Sequence, residues 1–241
     1  MPVLRAENLT KSFGRREVVS NVNVRVESGE IIGLLGRNGA GKTTTFQMIV
    51  GLVKPDTGTI YLDDEDISRR PTPDRARLGI TYLPQESSAF LKASVEDNLR
   101  LILELLPYDA EEKEKLRHDL LDDLGLLSVS KQPAHSLSGG ERRKLEICRS
   151  LVLKPKFLLL DEPLTGIDPL TIVELQRILI RLKQKEIGIV ISDHNVRDTL
   201  RITDRAYILD EGAVLIEGTP GRIAADEQAR KRFLGDDFSL V

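Results

Sequence analysis

Hydrophobic and polar residues alternate near the start of the chain. Val22, Val24 and Val26 are interleaved with Asn23 and Arg25, and this period of two predicts a strand with one buried face. Short uninterrupted apolar runs follow, and they predict strands that are buried on both faces. Those runs cover residues 31–35, 80–83, 157–160, 187–191 and 206–209. Because helical stretches separate the runs, the pattern favours the α/β class, with a parallel sheet covered on both sides.

The middle of the chain has a helical pattern instead. Val95, Leu99, Ile102, Leu103 and Leu106 follow helical spacing, and so do Leu116, Leu120, Leu124 and Leu127. No strand-like run stands between residues 83 and 157, so we expect a mainly helical insertion of roughly seventy residues between two strands. Opposite charges at helical spacing over residues 111–117 predict a solvated helix face there.

Composition limits the class of protein. The 241 residues contain 35 Lys and Arg against 38 Asp and Glu, so the chain lacks the basic excess typical of proteins that coat nucleic acid. No apolar run approaches the roughly 20 residues that cross a bilayer, and the first residues do not resemble a signal peptide. A single cysteine, Cys148, excludes an internal disulfide framework and is typical of a reducing compartment. We expect a cytoplasmic chain that serves a membrane only through partners.

The strongest chemical signal is a glycine-rich segment between a predicted strand and a predicted helix. It matches the G-x-x-x-x-G-K-[ST] pattern, in which glycines let backbone N–H groups face phosphate oxygens and the helix dipole favours the anion. In this pattern the Lys42 ammonium is expected to bridge the β- and γ-phosphates, and the Thr43 hydroxyl to bind Mg²⁺. The segment consists of Gly36, Arg37, Asn38, Gly39, Ala40, Gly41, Lys42, Thr43 and Thr44.

A pair of acids is the second signal. Asp161 and Glu162 directly follow the buried run at 157–160. A carboxylate at that strand end would lie beside the phosphate loop, so Asp161 is expected to hold Mg²⁺ through water. Glu162 is expected to orient and deprotonate an attacking water as a general base. Alone, two acids after an apolar run could simply cap a strand; downstream of a phosphate loop they indicate nucleotide hydrolysis.

A serine and two glycines upstream of that strand form the third signal. Ser138, Gly139 and Gly140 open a predicted helix, which makes a second anion-binding helix N-terminus. By itself the tripeptide fits an ordinary loop equally well. Two such helix starts can face one nucleotide, or each can face a different nucleotide across a two-fold axis.

The order of these motifs resembles the nucleotide-binding subunits of ATP-binding cassette (ABC) transporters. That order is the phosphate loop, Gln85, Leu-Ser-Gly-Gly-Glu at 137–141, Leu-Leu-Leu-Asp-Glu-Pro at 158–163, Asp168 and His194. The resemblance implies a P-loop NTPase (RecA-like) core with a mainly parallel sheet, an N-terminal antiparallel β subdomain and a helical insertion. Within one ABC domain, it implies a nucleotide-binding core at 1–87 and 156–220, a helical subdomain at 88–155 and a C-terminal tail at 221–241.

The same resemblance implies roles for single residues. Phe13 would stack on adenine, Gln85 would contact Mg²⁺ or the water and couple to membrane subunits, and His194 would contact the γ-phosphate. Ser138 and Gly140 would reach the ATP that the opposite subunit holds, so the chain would act as a homodimer with ATP and Mg²⁺.

The loop at 164–168, Leu-Thr-Gly-Ile-Asp, departs from the family's commoner Ser-Ala-Gly-Leu-Asp form. It keeps the glycine and Asp168, so the dimer contacts that the family makes there are still expected.

Other segments resemble one subgroup, the ATPase subunit of the lipopolysaccharide exporter of Gram-negative bacteria. They are Tyr-Leu-Pro-Gln-Glu at 82–86, Ser-Ala-Phe at 88–90, Ser-Val-Glu-Asp-Asn-Leu at 94–99, Ser-Asp-His-Asn-Val-Arg at 192–197 and Phe-Leu-Gly-Asp-Asp-Phe at 233–238. This implies two integral membrane partners, a peripheral place on the cytoplasmic face of the inner membrane, and no direct contact with the cargo. Leu-Lys-Ala at 91–93 and Leu164 depart from the pattern, which bears on partner pairing.

Two other functions stay open from the sequence. The ATPase of a branched-chain amino-acid importer shares most of this scaffold. A soluble ABC ATPase acting on DNA or ribosomes usually fuses two cassettes or carries a coiled-coil insertion, and this chain has neither pattern. Phe90 follows Gln85 outside any apolar period, so we expect it to be an exposed anchor for a partner helix.

Overall fold

The computed structural model describes residues 1–235 and 238. Asp236 and Asp237 of the segment at 233–238, and residues 239–241 of the tail, lie outside the described residues. Two sheets and the helices around them make up the rest of the fold.

The smaller sheet is antiparallel and contains the N-terminus. Its strands are β1 (Val3–Phe13), β2 (Arg16–Glu27), β4 (Thr57–Leu62) and β5 (Glu65–Asp66), in the order β2-β1-β4-β5. Along β2, Val22, Val24 and Val26 are buried while Asn23 and Arg25 are exposed, which confirms the predicted alternation. The expected N-terminal antiparallel subdomain is therefore present.

The larger sheet carries the five predicted apolar runs. Its strands are β3 (Ile31–Gly36), β6 (Ile80–Leu83), β7 (Phe157–Asp161), β8 (Gly188–Ser192), β9 (Arg205–Asp210) and β10 (Ala213–Gly218). The order is β10-β9-β3-β8-β7-β6, parallel throughout except for the β10 edge. The mainly parallel sheet is confirmed, although β8 begins one residue later than its apolar run.

Helices fill the remaining connections. They are α1 (Lys42–Val50), α2 (Thr72–Arg77), α3 (Val95–Leu103), α4 (Ala110–Asp123), α5 (Gly139–Leu151), α6 (Pro169–Gln184), α7 (Val196–Leu200), α8 (Pro220–Ala225) and α9 (Glu227–Ala229). A π-helical turn, Arg230–Leu234, follows α9. None of the helices in the described chain is both long enough and apolar enough to span a bilayer.

The stretch between β6 and β7 is helical, as expected. It contains α3, α4, α5 and two 3₁₀ turns, Leu127–Val129 and Ala134–Ser136. The helices are shorter than the apolar spacing predicts, because α3 ends at Leu103 and α4 at Asp123. The boundaries of the helical subdomain, the core and the tail stay predictions.

The predicted solvated face at 111–117 is also only partly correct. The Arg117 side chain is mostly buried and pairs with Glu96 of α3 at 2.5 Å, so this end of the cluster joins two helices.

The parallel sheet separates two hydrophobic cores. Along β7, Leu158 and Leu160 join the core that contains α5 and α6, while Phe157 and Leu159 join the core that contains α1 and the antiparallel sheet. Since side chains alternate across a strand, this division buries both faces of the sheet. The C-terminal ends of β3, β7 and β8 lie between the two layers. The phosphate loop, the two acids and His194 are at these ends.

Candidate functional site

The phosphate-loop sequence occupies the turn between β3 and α1. Gly39 and Gly41 have φ of 81° and 100°, a region that favours glycine. A Cβ at Gly41 would also lie 2.6 Å from the Val18 carbonyl oxygen, so the turn requires glycine there. Among the described residues no side chain caps α1, whose first turn therefore presents backbone N–H groups. This is the geometry that binds an anion at a helix N-terminus.

Lys42 begins α1 with its side chain buried beneath the loop. Its ammonium donates to the carbonyl oxygens of Gly36 at 2.9 Å and Arg37 at 3.1 Å, which keeps the loop curled. Burial lowers the pKa of Lys42, and the carboxylates of Glu162 and Asp161 oppose that shift. The Lys42 ammonium supplies positive charge beside the loop for an anionic ligand, while the neighbouring carboxylates repel that ligand unless a cation accompanies it.

Asp161 is the last residue of β7 and is 1% exposed. Its two carboxylate oxygens accept from the Ser192 hydroxyl at 2.5 Å and from the Tyr82 hydroxyl at 3.1 Å. Burial, and then the Asp161 charge, raises the pKa of Tyr82 well above its usual range, so that this phenol stays a donor. Neighbouring strands thus fix the orientation of the carboxylate.

Glu162 follows with a left-handed backbone, φ 49°, which costs a non-glycine residue about 1–2 kcal/mol. Two backbone contacts hold it there. Its N–H donates to the Ser192 carbonyl at 2.8 Å, and its own carbonyl accepts from Arg143 at 3.2 Å. Strain sustained in this way at a polar residue is typical of functional sites.

Glu162 is 8% exposed. The other polar groups predicted for catalysis lie around its carboxylate. Gln85 Nε2 donates to Glu162 Oε2 at 2.9 Å, and His194 Nδ1 lies 3.5 Å from the same oxygen. The Thr165 hydroxyl lies 3.4 Å from Glu162 Oε2 and 3.3 Å from His194 Nδ1. Gln85, Glu162 and His194 are therefore brought together around one carboxylate.

A cavity of about 770 Å³ connects this cluster with the phosphate loop, within the usual size of ligand sites. Unexpected members of its lining are Val18, Thr165 and Phe233, the last from the π-helical turn. The predicted residues that line it are Gly36, Arg37, Asn38, Gly39, Gly41, Lys42, Thr43, Thr44, Gln85, Glu162 and His194. Ala40 and Asp161 are buried and do not line the cavity.

Phe13, predicted to stack on adenine, is not in that lining. It ends β1 and is 52% exposed, and Lys11 lies over its ring at 5.6 Å. Asp56 accepts from Lys11 and from the Ser12 N–H, each at 2.7 Å, which anchors the strand end. An exposed ring on an anchored strand is available for stacking, and the adenine role stays a prediction.

Ser138, Gly139, Gly140 and Asp168 also lie outside the cavity lining, and they form a second surface. Ser138 caps α5, and a Cβ at Gly140 would come within 2.3 Å of Thr171 of α6. Asp168 caps α6 by accepting from the Thr171 N–H at 3.0 Å. The two helix starts therefore pack directly on each other, and glycine is required at the contact.

Hard oxygen donors are available for Mg²⁺ in the Thr43 hydroxyl, the Gln85 amide and the Asp161 carboxylate. No three His, Cys, Asp or Glu side chains are grouped to hold a metal within the described chain. Such a donor set fits Mg²⁺, which keeps water ligands and shares phosphate oxygens, rather than a metal that needs a protein cage.

Another cavity, of about 750 Å³, lies away from these residues on the antiparallel sheet. Arg205 stands in it and pairs with Glu30 at 2.7 Å, so its charge is already neutralised. It contains none of the predicted site residues.

Sequence reasoning assigned no role to several residues that support the site. Tyr82, Ser192 and Arg143 orient the two acids, and Asp193 accepts from the backbone N–H groups of Leu164 and Asn195. Burial raises the pKa of Asp193. The available signal was position: Ser192 and Asp193 directly follow the apolar run at 187–191 and precede His194.

Comparisons with known proteins agree with this geometry. The sequence model of the family described as "ABC transporter" matches residues 19–165, more than half of the chain. The chain belongs to the ABC transporter family. As a member it binds nucleotide and is an ATPase.

Relatives in the family match over nearly the whole chain. The lipopolysaccharide export system ATP-binding protein LptB of Acidithiobacillus ferridurans is 50% identical over 238 residues, covering 99% of both chains. LptB of Escherichia coli is 47% identical over 241 residues, covering 100% of both. The crystal structure of the ADP conformation of an ATP-binding cassette superposes with a TM-score of 0.89 at 28% identity, covering 98% of this chain and 100% of that one. The ABC ATPase fold is therefore confirmed, including its antiparallel subdomain.

Proposed function

We propose that this chain is the ATP-hydrolysing subunit of a lipopolysaccharide exporter, and that it works as a homodimer beneath two integral membrane subunits on the cytoplasmic face of the inner membrane. The observation that supports this most is the 47–50% identity to LptB proteins over the whole length. That likeness includes the helical stretch between β6 and β7 and the tail, which the ATP-binding motifs alone do not require.

Within each subunit, the cavity residues divide the work of hydrolysis. The uncapped start of α1 and the Lys42 ammonium bind the phosphates of ATP, and the Thr43 hydroxyl and Asp161 hold Mg²⁺. Bound Mg²⁺ supplies positive charge that neutralises the phosphate oxygens. Glu162 accepts the proton of the attacking water at its carboxylate, Gln85 orients that water, and His194 lies where it reaches the γ-phosphate.

The placement of Ser138 and Asp168 supports a site shared between two chains. Both lie outside the cavity that holds Lys42, on a surface formed by the starts of α5 and α6. In a two-fold dimer that surface closes over the cavity of the opposite subunit. Each ATP is then held by the α1 start of one chain and by Ser138 and Gly140 of the other.

Phe90 is the proposed contact with the membrane subunits. It is 49% exposed, as predicted, and Arg149 lies over its ring at 4.7 Å. Asn98 fixes its backbone by accepting from the Phe90 N–H at 2.8 Å and donating to its carbonyl at 3.0 Å. An aromatic ring presented on a fixed backbone suits an interface anchor, whose loss typically costs about 2 kcal/mol or more.

The test is affinity purification of the tagged chain from membranes of its own host, followed by reconstitution of the captured complex. We expect two integral membrane subunits, and ATP-dependent extraction of lipopolysaccharide from mixed lipopolysaccharide–phospholipid vesicles. Phe90→Ala should weaken the affinity for the membrane subunits about 30-fold, the equivalent of 2 kcal/mol, and so lower the yield of the complex. Replacing Ile180, an exposed apolar residue of α6, in Ile180→Ala should not. Capture of amino-acid importer subunits, or no lipopolysaccharide release, would overturn the proposal.

A further inference from the structure

Asp193 is a fully buried carboxylate that directly precedes His194 and reaches across to the loop that follows Glu162. Its exposed fraction is 0%, and it stands between Ser192, which contacts Asp161, and His194. Asp193 has no role among the catalytic residues proposed so far. A buried acid is uncommon, because burial penalises its charge. His194 Nδ1 lies 3.8 Å from Asp193 Oδ1, beyond hydrogen-bonding distance, so the direct bonds of this carboxylate are to backbone N–H groups.

The hydrogen bonds of Asp193 reach in two directions. Oδ2 accepts from the Leu164 N–H at 3.0 Å, in the loop that follows Glu162. Oδ1 accepts from the Asn195 N–H at 2.9 Å, in the loop that carries His194. Each oxygen therefore holds a different loop, and one rigid carboxylate fixes the distance between them.

These loops need such a connection because Glu162 is strained. Its left-handed backbone is held by the Ser192 carbonyl on one side and by Arg143 on the other. Two residues further along the chain, the Leu164 N–H is held by Asp193. The Glu162 carboxylate and the His194 ring are separated by only 3.5 Å, and Thr165 contacts both. A small shift of either loop would therefore separate the groups that act on the water and on the γ-phosphate.

We propose that Asp193 is a positioning residue for ATP hydrolysis, which holds the Glu162 loop and the His194 loop in register by accepting one backbone N–H from each. The inference rests on the proposed roles of Glu162 and His194. Among the described residues Asp193 makes no hydrogen bond to the phosphate loop or to Lys42, and its charge acts on Lys42 more weakly than the charges of Glu162 and Asp161 do. It should therefore affect turnover far more than ATP binding.

The test is Asp193→Asn, which keeps the size of the side chain but replaces one acceptor oxygen with an NH₂ donor. Because both neighbours are N–H donors, one of the two loops must lose its partner. We expect kcat to fall about 10- to 100-fold, the range caused by misplacement of roughly 1 Å, while the ATP concentration for half-maximal rate changes less than about threefold. Asp193→Ser, which can accept from only one loop, should behave in the same way if the amide variant does not fold.

Asp204→Asn is the control. Asp204 accepts from the Ile31 N–H at 2.9 Å at the start of β3, the opposite end of the strands, and its other oxygen pairs with Lys183 at 2.5 Å. Its variant therefore also weakens a carboxylate that holds a backbone N–H, but away from the cavity. Its variant should lower thermal stability without changing kcat. If Asp193→Asn behaves as Asp204→Asn does, Asp193 is merely structural and the inference fails.

A double-mutant cycle separates positioning from general destabilisation. In a Glu162→Gln background, Asp193→Asn should slow hydrolysis much less than it does alone, because the group that it positions is already disabled. Full additivity would overturn the inference. If Glu162→Gln itself hydrolyses ATP at the parental rate, the proposed roles fail first, and the two failures are thereby distinguished.

Discussion

Asn98 offers a quantitative test of how the Phe90 segment is held. It is 0% exposed on α3 and makes three hydrogen bonds with backbone groups. Its amide oxygen accepts from the Phe90 N–H at 2.8 Å, and its amide nitrogen donates to the carbonyls of Phe90 at 3.0 Å and Ser94 at 2.9 Å. One side chain thus bonds both the backbone N–H and the backbone carbonyl of Phe90.

The expected loss in Asn98→Ala follows from those bonds. Each contributes about 1 kcal/mol net, so the free energy of unfolding should fall by about 3 kcal/mol. For a chain of this size the midpoint of thermal unfolding should then fall by roughly 6–12 °C. Phe90 should also lose its fixed backbone, so the affinity for the membrane subunits should fall even at temperatures where the variant is fully folded.

Denaturant unfolding followed by circular dichroism measures the first effect, with the slope against denaturant unchanged. Ser94→Ala is the control, because it removes the cap of the same helix, which typically costs about 1 kcal/mol, without releasing Phe90. A loss below about 1 kcal/mol in Asn98→Ala would refute the reasoning and show that water replaces the amide. An unchanged affinity for the membrane subunits would show that docking does not depend on the fixed backbone of Phe90.

Two further predictions concern hydrolysis. Glu162→Gln should still bind ATP with Mg²⁺ but hydrolyse it about 10²–10⁴-fold more slowly, because an amide cannot accept the proton; the ATP-loaded dimer should accumulate in light scattering, and near-normal turnover would exclude the general-base role. Lys42→Ala chains mixed with Ser138→Arg chains in the membrane complex should regain ATPase activity if each site is shared, because one site of the mixed dimer is then intact. No recovery in mixed dimers shown to form would contradict that arrangement, and engineered cysteines near Ser138 and Gly39 would test by crosslinking whether the two loops meet.

The strands could be predicted from the sequence because burial on both faces leaves a continuous apolar run. The residues at which helices end could not be predicted with the same accuracy. Leu124 stays buried although α4 ends at Asp123, since apolar spacing reports which residues are buried and not the backbone that carries them. The signal that does mark this end is Gly125, whose φ of 68° is typical just beyond a helix C-terminus.

Most residues that line the cavity could also be named from the sequence, because they are recognised by residue type at fixed local spacing. The groups that orient them depend on register between strands. Ser192 contacts Asp161 because β7 and β8 pair Asp161 with Ser192, and Tyr82 arrives from β6 on the other side. Pairing across 31 residues leaves no local pattern. These orienting groups are visible only in the folded chain.

The two anion-binding helix starts are equivalent in the sequence but not in the structure. At α1 the N-cap is Gly41, and no side chain occupies the first N–H groups in the described chain. At α5 the Ser138 hydroxyl accepts from the Glu141 N–H at 3.2 Å, while the Glu141 carboxylate accepts from the Ser138 N–H at 2.9 Å. The hydrogen bonds to Ser138 also lower the pKa of Glu141, so the carboxylate stays charged at this helix start.

This asymmetry bears on which nucleotide each helix start can serve. The α1 start is open to phosphate within its own chain, next to Lys42. The α5 start already holds a carboxylate, so a phosphate that reaches Ser138 must compete with Glu141 or bind the N–H groups of Gly139 and Gly140 beside it. An incoming γ-phosphate that is already bound to Lys42 of another subunit has its charge partly neutralised, which weakens its repulsion from Glu141. In the proposed shared site, the self-capped helix is therefore suited to closing late on a nucleotide that the opposite subunit has already bound.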